Sequence, residues 1–212
     1  MAVRRSRTAL HKAGQPPLVA AMLTVLAVLF CGCQGQWNET RNPFLPEAET
    51  ARWAVPVERP GLPNLYRVTE NLYRGADPTA KGIRALRAMG VRTIVNLCST
   101  DSDLLDIRKT PIGYEHIWFR SVHPETEDVV RFLRIATDHA RTPVFVHCRR
   151  GADRTGLMCA AYRIVVCGWT KDQAIREMTE GGFGFDRNLK YMVDFVRNLD
   201  AGDLKRQIRS GP

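Results

Sequence analysis

Residues 144–156 read VFVHCRRGADRTG, a stretch that joins a buried strand to a helix through a short polar loop. The β-branched and aromatic residues before Cys148 predict the strand, and a helix is predicted from Arg154 onward. Gly151 allows a backbone turn between them that a side chain would obstruct. Backbone N–H groups in such a loop, together with the N-terminus of the following helix, can surround a tetrahedral anion. The stretch therefore predicts an anion-binding loop at the carboxyl end of a strand.

The residue types in this loop suit the transfer of a phosphoryl group. Cys148 would lie beneath the phosphorus atom as a nucleophile, and the surrounding N–H donors would favour its thiolate. Arg154 offers a planar fork that can hold two phosphate oxygens. Thr155 would offer its hydroxyl to Cys148. The other residues expected to contact the substrate are Arg149, Arg150, Gly151 and Ala152. A structural core thiol is the alternative for Cys148, and it leaves the rest of the loop unexplained.

Strand and helix signals alternate from residue 64 onward, which favours an α/β fold with a central, mostly parallel sheet flanked by helices. Asp77 followed by Pro78 predicts the start of a helix, with Asp77 as its N-cap. Further strands are predicted at residues 91–98, 114–119 and 142–147, and helices at about 125–140, 154–166, 170–180 and 187–199.

Composition limits the class of protein. The chain has 212 residues, of which 44% are hydrophobic and 25% charged, values that exclude a mainly disordered, collagen-like or polytopic membrane protein. The formal charge is +9, and the four basic residues among residues 1–33 account for part of it, which leaves +5 for the remainder. This charge suits an anionic substrate, but it is too small and dispersed to predict nucleic-acid binding. The histidines and cysteines show no spacing typical of a metal site.

Residues 1–33 are predicted to be an export signal. A basic start is followed by the thirteen-residue apolar run 18–30, which is shorter than the roughly 20 residues of a membrane span. The run ends at Phe30-Cys31-Gly32-Cys33, which resembles a bacterial lipoprotein cleavage site with Cys33 as the lipid-bearing N-terminus. Lipid anchoring, plain secretion, an uncleaved anchor, and a structural hairpin or core helix remain open. We expect a periplasmic or cell-envelope protein that meets the membrane through this segment.

The remaining domain limits follow from changes in pattern. Residues 34–63 contain repeated prolines and no sustained period, which predicts a flexible tether. Residues 64–200 are predicted to form the domain, and residues 201–212 a C-terminal tail.

Residues 147–156 resemble the signature loop of the cysteine-dependent protein tyrosine and dual-specificity phosphatases. The likeness extends to residues 71–75, 90–97 and 168–170, and so covers about residues 64–200. It implies a compact dual-specificity-phosphatase-like fold, a phosphocysteine intermediate, and no metal or organic cofactor. The implied activity is hydrolysis of phosphate monoesters, on a phosphorylated protein or another anionic ester. Phosphotyrosine, phosphoserine or phosphothreonine, and phosphoinositides all remain candidate substrates.

Two other functions remain open beside this resemblance. A phosphate-binding pseudo-phosphatase would normally have lost Cys148 or Arg154, and both are present. A sulfur- or arsenate-handling enzyme can use a similar loop, but the five residues between Cys148 and Arg154, together with Thr155, favour phosphate. In phosphatases resembling the lipid-directed branch, the cysteine of an Asn-Leu-Cys run guards the nucleophile. The resemblance thus implies a reversible Cys98–Cys148 disulfide, with a core thiol as the alternative for Cys98.

The proton donor is where the chain departs from the common family pattern. Many relatives use an aspartate on a loop well upstream of the cysteine, and residues 123–128 provide no clear match. Asp153 is the first candidate, because it resembles the loop aspartate of myotubularins, although it could instead cap the next helix. Glu125, Glu127 or Asp128 form the second candidate, and a reaction without a dedicated acid is the third.

Overall fold

A computed structural model of the chain describes residues 52–101, 103–120 and 123–210. The predicted export signal and most of the predicted tether lie outside the described residues. Within the described part, no helix combines the length and the apolar character needed to cross a membrane.

A six-stranded sheet with the order β1-β2-β3-β6-β4-β5 forms the centre of the fold. Its strands are β1 (Val55–Pro56), β2 (Tyr66–Arg67), β3 (Leu72–Ala76), β4 (Thr93–Asn96), β5 (Gly113–His116) and β6 (Val144–Cys148). Strands β3, β6, β4 and β5 are parallel, and β1 and β2 add an antiparallel edge. The predicted mostly parallel sheet is therefore confirmed, and β6 occupies its interior.

Seven helices are described around this sheet. They are α1 (Ala80–Ala88), α2 (Leu104–Ile107), α3 (Thr126–Thr137), α4 (Asp153–Val165), α5 (Lys171–Glu180), α6 (Lys190–Asn198) and α7 (Ala201–Arg209). Helix α4 is buried on nearly every side, because it lies between the sheet and helices α3, α5, α6 and α7. Helix α2 was not predicted from the sequence.

The two faces of the sheet carry separate hydrophobic cores. The larger core includes Val146 and Cys148 of β6, and the smaller core includes Phe145. Successive side chains of a strand point to opposite faces, so His147 lies on the same side as Phe145, on which its ring stacks at 5.6 Å between centroids. Cys148 and His147 therefore face different layers of the protein.

Three predictions made from the sequence need correction. Helix α1 begins after Thr79, whose side chain accepts a hydrogen bond from the Gly82 N–H, so Asp77 is not its N-cap. The tether was predicted to reach residue 63, but β1 joins the sheet, because Val55 and Pro56 pair with β2. The C-terminal tail was predicted from residue 201, but residues 201–209 form α7, which buries Leu204.

Candidate active site

The candidate site lies where β6 passes into α4. Cys148 is the last residue of the strand and is only 3% exposed. Residues 149–152 connect it to α4, and we call residues 148–154 the 148–154 loop. Gly151 has a φ of +69°, and a Cβ atom there would lie 2.4 Å from the carbonyl carbon and oxygen of Gly75. The loop thus packs against the backbone of β3 at a position that only glycine fits.

The carbonyl groups of the four central loop residues, 149–152, point toward the surrounding protein. The carbonyl oxygens of residues 149–152 accept hydrogen bonds from the Asp77 N–H (3.5 Å), from Asn64 Nδ2 (2.9 Å), and from Arg74 Nη2 (2.8 Å to Gly151 and 3.3 Å to Ala152). In a trans peptide the N–H points opposite to the C=O. The N–H groups of the loop are therefore directed toward its interior, which is the arrangement of an anion-binding nest.

Arg74 is the residue that holds this orientation most directly. Its side chain is 1% exposed, and its guanidinium lies 3.6 Å from the centroid of the Phe183 ring. Burial lowers the pKa of Arg74 below its ordinary value. A guanidinium remains charged even so, and here it donates to two successive carbonyl groups of the loop. Arg74 therefore fixes the orientation of the Gly151 and Ala152 carbonyl groups from within the protein core.

Arg154 and Thr155 lie in the first turn of α4. Arg154 Nη1 donates to the carbonyl oxygen of Leu97 at 2.7 Å, which extends the guanidinium across the carboxyl ends of β4 and β6. Thr155 is fully buried, and its hydroxyl has no hydrogen-bond partner among the described residues. The hydrogen bond to Cys148 that we expected from the sequence is therefore not formed in this structure.

Asp153 uses both of its carboxylate oxygens in contacts within the protein. One accepts a hydrogen bond from Arg150 Nη2 at 2.6 Å, and the other accepts one from the Asp186 N–H at 2.8 Å. Asp153 is also the first residue of α4, where a negative charge is favourable. These contacts favour a structural role at the helix start. Arg149, in contrast, is exposed on the loop.

Comparison with known proteins decides the family. A family model described as DSP-PTPase phosphatase fused to NAD+ kinase matches residues 62–190. The dual specificity protein phosphatase TpbA of Pseudomonas aeruginosa strain UCBPP-PA14 is 31% identical over 203 residues, which are 95% of this chain and 89% of TpbA. The chain belongs to the cysteine-dependent dual-specificity phosphatase family. The resemblance found in the sequence is therefore confirmed, and the enzyme is a phosphatase of this type.

Solved structures agree with this assignment. A P. aeruginosa TpbA variant with serine in place of a cysteine, in complex with phosphotyrosine, is 32% identical to this phosphatase. That match has a TM-score of 0.67 and covers 81% of this chain and all of the TpbA chain in that crystal structure. The catalytic core of the Saccharomyces cerevisiae PP-IP phosphatase Siw14 matches with a TM-score of 0.60 at 22% identity, over 68% of this chain and 91% of that core. The Siw14 likeness shows the fold alone.

A buried histidine connects the loop of the phosphatase to two aspartates. His147 Nε2 lies 3.1 Å from Asp103 Oδ2, and His147 Nδ1 lies 3.7 Å from Asp77 Oδ1. Asp103 also accepts a hydrogen bond from Asn96 Nδ2 at 2.9 Å. Although burial opposes ionisation of Asp103, its hydrogen bonds with His147 and Asn96 lower its pKa overall. An ionised carboxylate can only accept, so Nε2 is the donor in the pair with Asp103.

These three side chains are the one described group whose spacing could suit a metal ion, with donor atoms within 4.8 Å of one another. The two carboxylates lie beside opposite nitrogens of the His147 ring, with Asp103 within hydrogen-bond distance of Nε2 and Asp77 3.7 Å from Nδ1, beyond that distance. A shared ion would need all the donor atoms to face one point. We therefore interpret Asp103, His147 and Asp77 as a connected polar chain beside the loop.

Sequence patterns identify the residues of the loop itself but not the residues that hold it in place. Arg74 and Asn64 lie 77 and 86 residues before the loop atoms that they contact, and Asp103 lies 44 residues before His147. No spacing rule connects residues so far apart. The run 71–75, which contains Arg74, was noticed only as part of the family resemblance.

Proposed function

We propose that this phosphatase hydrolyses phosphate monoesters through a phosphocysteine at Cys148, and that phosphotyrosine in proteins is its substrate class. The orientation of the 148–154 loop is the main support. Its carbonyl groups are bonded to the surrounding protein, so its N–H groups face the space around Cys148. A dianionic phosphate bound there would meet the loop donors and the positive end of α4 together.

The proposed reaction has two steps. In the first, the Cys148 thiolate attacks phosphorus, an S–P bond forms, and the bond from phosphorus to the leaving oxygen breaks. The leaving oxygen takes a proton from an acid. In the second, water attacks the phosphocysteine, the S–P bond breaks, and inorganic phosphate and the thiolate are released. Arg154 would hold two phosphate oxygens through both steps, and the unpartnered Thr155 hydroxyl could donate to the departing thiolate.

Two observations support phosphotyrosine as the substrate class. TpbA, which is 32% identical over most of this chain, has been solved with phosphotyrosine bound. Cys148 is nearly buried, so a phosphate carried on a long, rigid side chain reaches it more readily than a phosphate close to a peptide backbone. Exposed Arg149 would then meet the phosphate or acidic groups near it.

The test is a phosphate-release screen over phosphotyrosine peptides, phosphoserine and phosphothreonine peptides, phosphoinositides and soluble inositol phosphates. We expect turnover to be highest on phosphotyrosine peptides. Cys148→Ser should abolish turnover and retain binding of inorganic phosphate, and Arg154→Lys should lower turnover by at least about 10²-fold, because an ammonium cannot replace the two-pronged contact. Cys167→Ser, at a partly buried thiol outside the loop, is the matched control. Residual activity above a few per cent in Cys148→Ser would contradict the mechanism.

We also infer that the protein is exported and anchored at the cell envelope through Cys33. This proposal rests on the basic and apolar pattern of residues 1–33, which lie outside the described residues. Fractionation of cells that express the wild type and Cys33→Ala tests it. Release of the variant from membranes would support lipid attachment, whereas unchanged membrane association would contradict it and favour an uncleaved anchor.

A further inference from the structure

Asp77 lies at the rim of the 148–154 loop. It follows β3, whose last residue, Ala76, pairs with Cys148 in the parallel register. The Asp77 N–H donates to the carbonyl oxygen of Arg149 at 3.5 Å, so its backbone is bonded to the loop itself. The side chain is 42% exposed and therefore borders both the protein interior and solvent. The Asp77 carboxyl group is therefore carried by a backbone segment that lies directly beside Cys148.

The Asp77 side chain does not serve as the N-cap of α1, the helix that follows it. The sequence predicted that Asp77 caps α1, but Thr79 accepts the hydrogen bond from the Gly82 N–H. The polar group that faces the Asp77 carboxyl is His147 Nδ1, at 3.7 Å. This nitrogen is fully buried and has no hydrogen-bond partner among the described residues. Asp103 holds the ring through Nε2, so Nδ1 is fixed in its orientation toward Asp77.

The charged groups around Asp77 suit an acid that keeps its proton. Burial raises the pKa of Asp77 above that of an ordinary aspartate, and the negative charge of Asp103 raises it further. His147 and Arg149 act in the opposite direction, and the net pKa remains raised. A general acid must be protonated when the substrate binds, so a raised pKa extends its working range toward neutral pH.

The acids predicted from the sequence are placed less favourably. Both carboxylate oxygens of Asp153 already accept hydrogen bonds, from Arg150 and from the Asp186 N–H, at the start of α4. Glu127 and Asp128 lie in the first turn of α3, and burial raises the pKa of Asp128 as well. No hydrogen bond or ion pair among the described residues joins either of them to the 148–154 loop. Glu125 is the N-cap residue of the same helix.

We propose that Asp77 is the proton donor to the leaving group, a role that rests on the Cys148 mechanism proposed above. As the thiolate forms the S–P bond and the phosphorus–oxygen bond breaks, the carboxyl proton passes to the departing oxygen. Asp77 becomes a carboxylate next to His147. In the second step this carboxylate takes a proton from the attacking water, the S–P bond breaks, and Asp77 is protonated again. Phosphate and the thiolate leave with the proton count balanced.

The test compares two substrates that differ in their need for an acid. An aryl phosphate with an acidic phenol as leaving group needs little protonation, and an alkyl phosphate needs a proton donor. Asp77→Asn should lower kcat on the alkyl phosphate by roughly 10²–10³-fold and on the activated aryl phosphate by less than about tenfold. The decline of kcat at high pH, caused by loss of the Asp77 proton, should disappear in the variant. Asp77→Glu should restore part of the activity on the alkyl phosphate.

The controls separate this role from a structural one. Asp194→Asn removes an exposed aspartate of α6 that pairs with Arg197, and it should leave both activities unchanged. Binding of inorganic phosphate to Asp77→Asn should be no weaker than to the wild type, and the thermal unfolding midpoint confirms that the variant is folded. If Asp77→Asn does not fold, the partial rescue and pH profile of Asp77→Glu decide the question.

Three results would overturn the assignment of Asp77. They are equal losses on the two substrates, no loss on either, and a selective loss on the alkyl phosphate in Asp153→Asn or Asp128→Asn. Cys148→Ser is measured in parallel on both substrates. If Cys148→Ser is inactive, a negative result for Asp77→Asn contradicts only the assignment of Asp77 as the proton donor. If it remains active, the proposed mechanism fails instead.

Discussion

Replacement of Gly151 by alanine tests whether contact with β3 positions the 148–154 loop. Two costs are expected. The φ of +69° lies in the left-handed region, which costs an L-residue about 1–2 kcal/mol. The new Cβ would also lie 2.4 Å from the Gly75 carbonyl carbon and oxygen and 2.6 Å from the Ala76 nitrogen.

The size of the displacement follows from these distances. A Cβ atom in ordinary contact lies 3.4 Å or more from such neighbours, so the loop must move by about 1 Å. Strand β3 cannot yield easily, because it is paired with β2 on one side and β6 on the other. Overpacking of this kind costs about 1–3 kcal/mol, which gives a total loss of roughly 2–5 kcal/mol. A misplacement of about 1 Å can also lower turnover by about 10²-fold.

Gly168→Ala is the matched control for this change. Gly168 has a φ of +72°, and a Cβ atom there would have no neighbour within 4 Å. Its loss of stability should stay at about 1–2 kcal/mol, with kcat unchanged. Urea unfolding gives the free energies, and turnover of an aryl phosphate gives the activities. If Gly151→Ala matched Gly168→Ala in both measurements, the contact with β3 would have no part in positioning the loop.

Two further predictions concern stability and oxidation. Glu177→Ala removes the carboxylate that accepts two hydrogen bonds, at 2.7 and 2.8 Å, from the buried guanidinium of Arg163, and it should lower the free energy of unfolding by about 3–5 kcal/mol. Asp194→Ala, in an exposed ion pair, should barely change the melting midpoint. Similar midpoints for the two variants would refute the expected cost. Mild peroxide treatment should convert Cys148 to a sulfenic acid that condenses with the Cys98 thiol to a disulfide and water. The condensation should be slow at neutral pH and faster as pH rises, because burial raises the pKa of Cys98 to about 11. Peptide mapping that finds only overoxidised Cys148 would contradict the pairing.

The sequence by itself determined the class of the fold, and it predicted the chemistry that we propose for the loop. Cys148, Gly151 and Arg154 lie within seven consecutive positions, so their spacing alone limits the shape that the backbone can take. The alternation of strand and helix signals depends on local propensity and burial, and it predicted the mostly parallel sheet. The short elements β1 and α2 were missed, because segments of two and four residues carry no readable period.

Only the tertiary structure decided what surrounds the loop. Parallel pairing places the last strand, β6, between β3 and β4, and so brings the ends of three distant segments together. Arg74, Asp77 and Asp103 reach the loop by this route. In the sequence Asp77 has the pattern of a helix cap, whereas in the fold Thr79 takes that place and Asp77 faces His147. The physical reason is that a hydrogen bond to a loop carbonyl depends on distance in space, which the order of strands in the sheet sets and local sequence patterns do not.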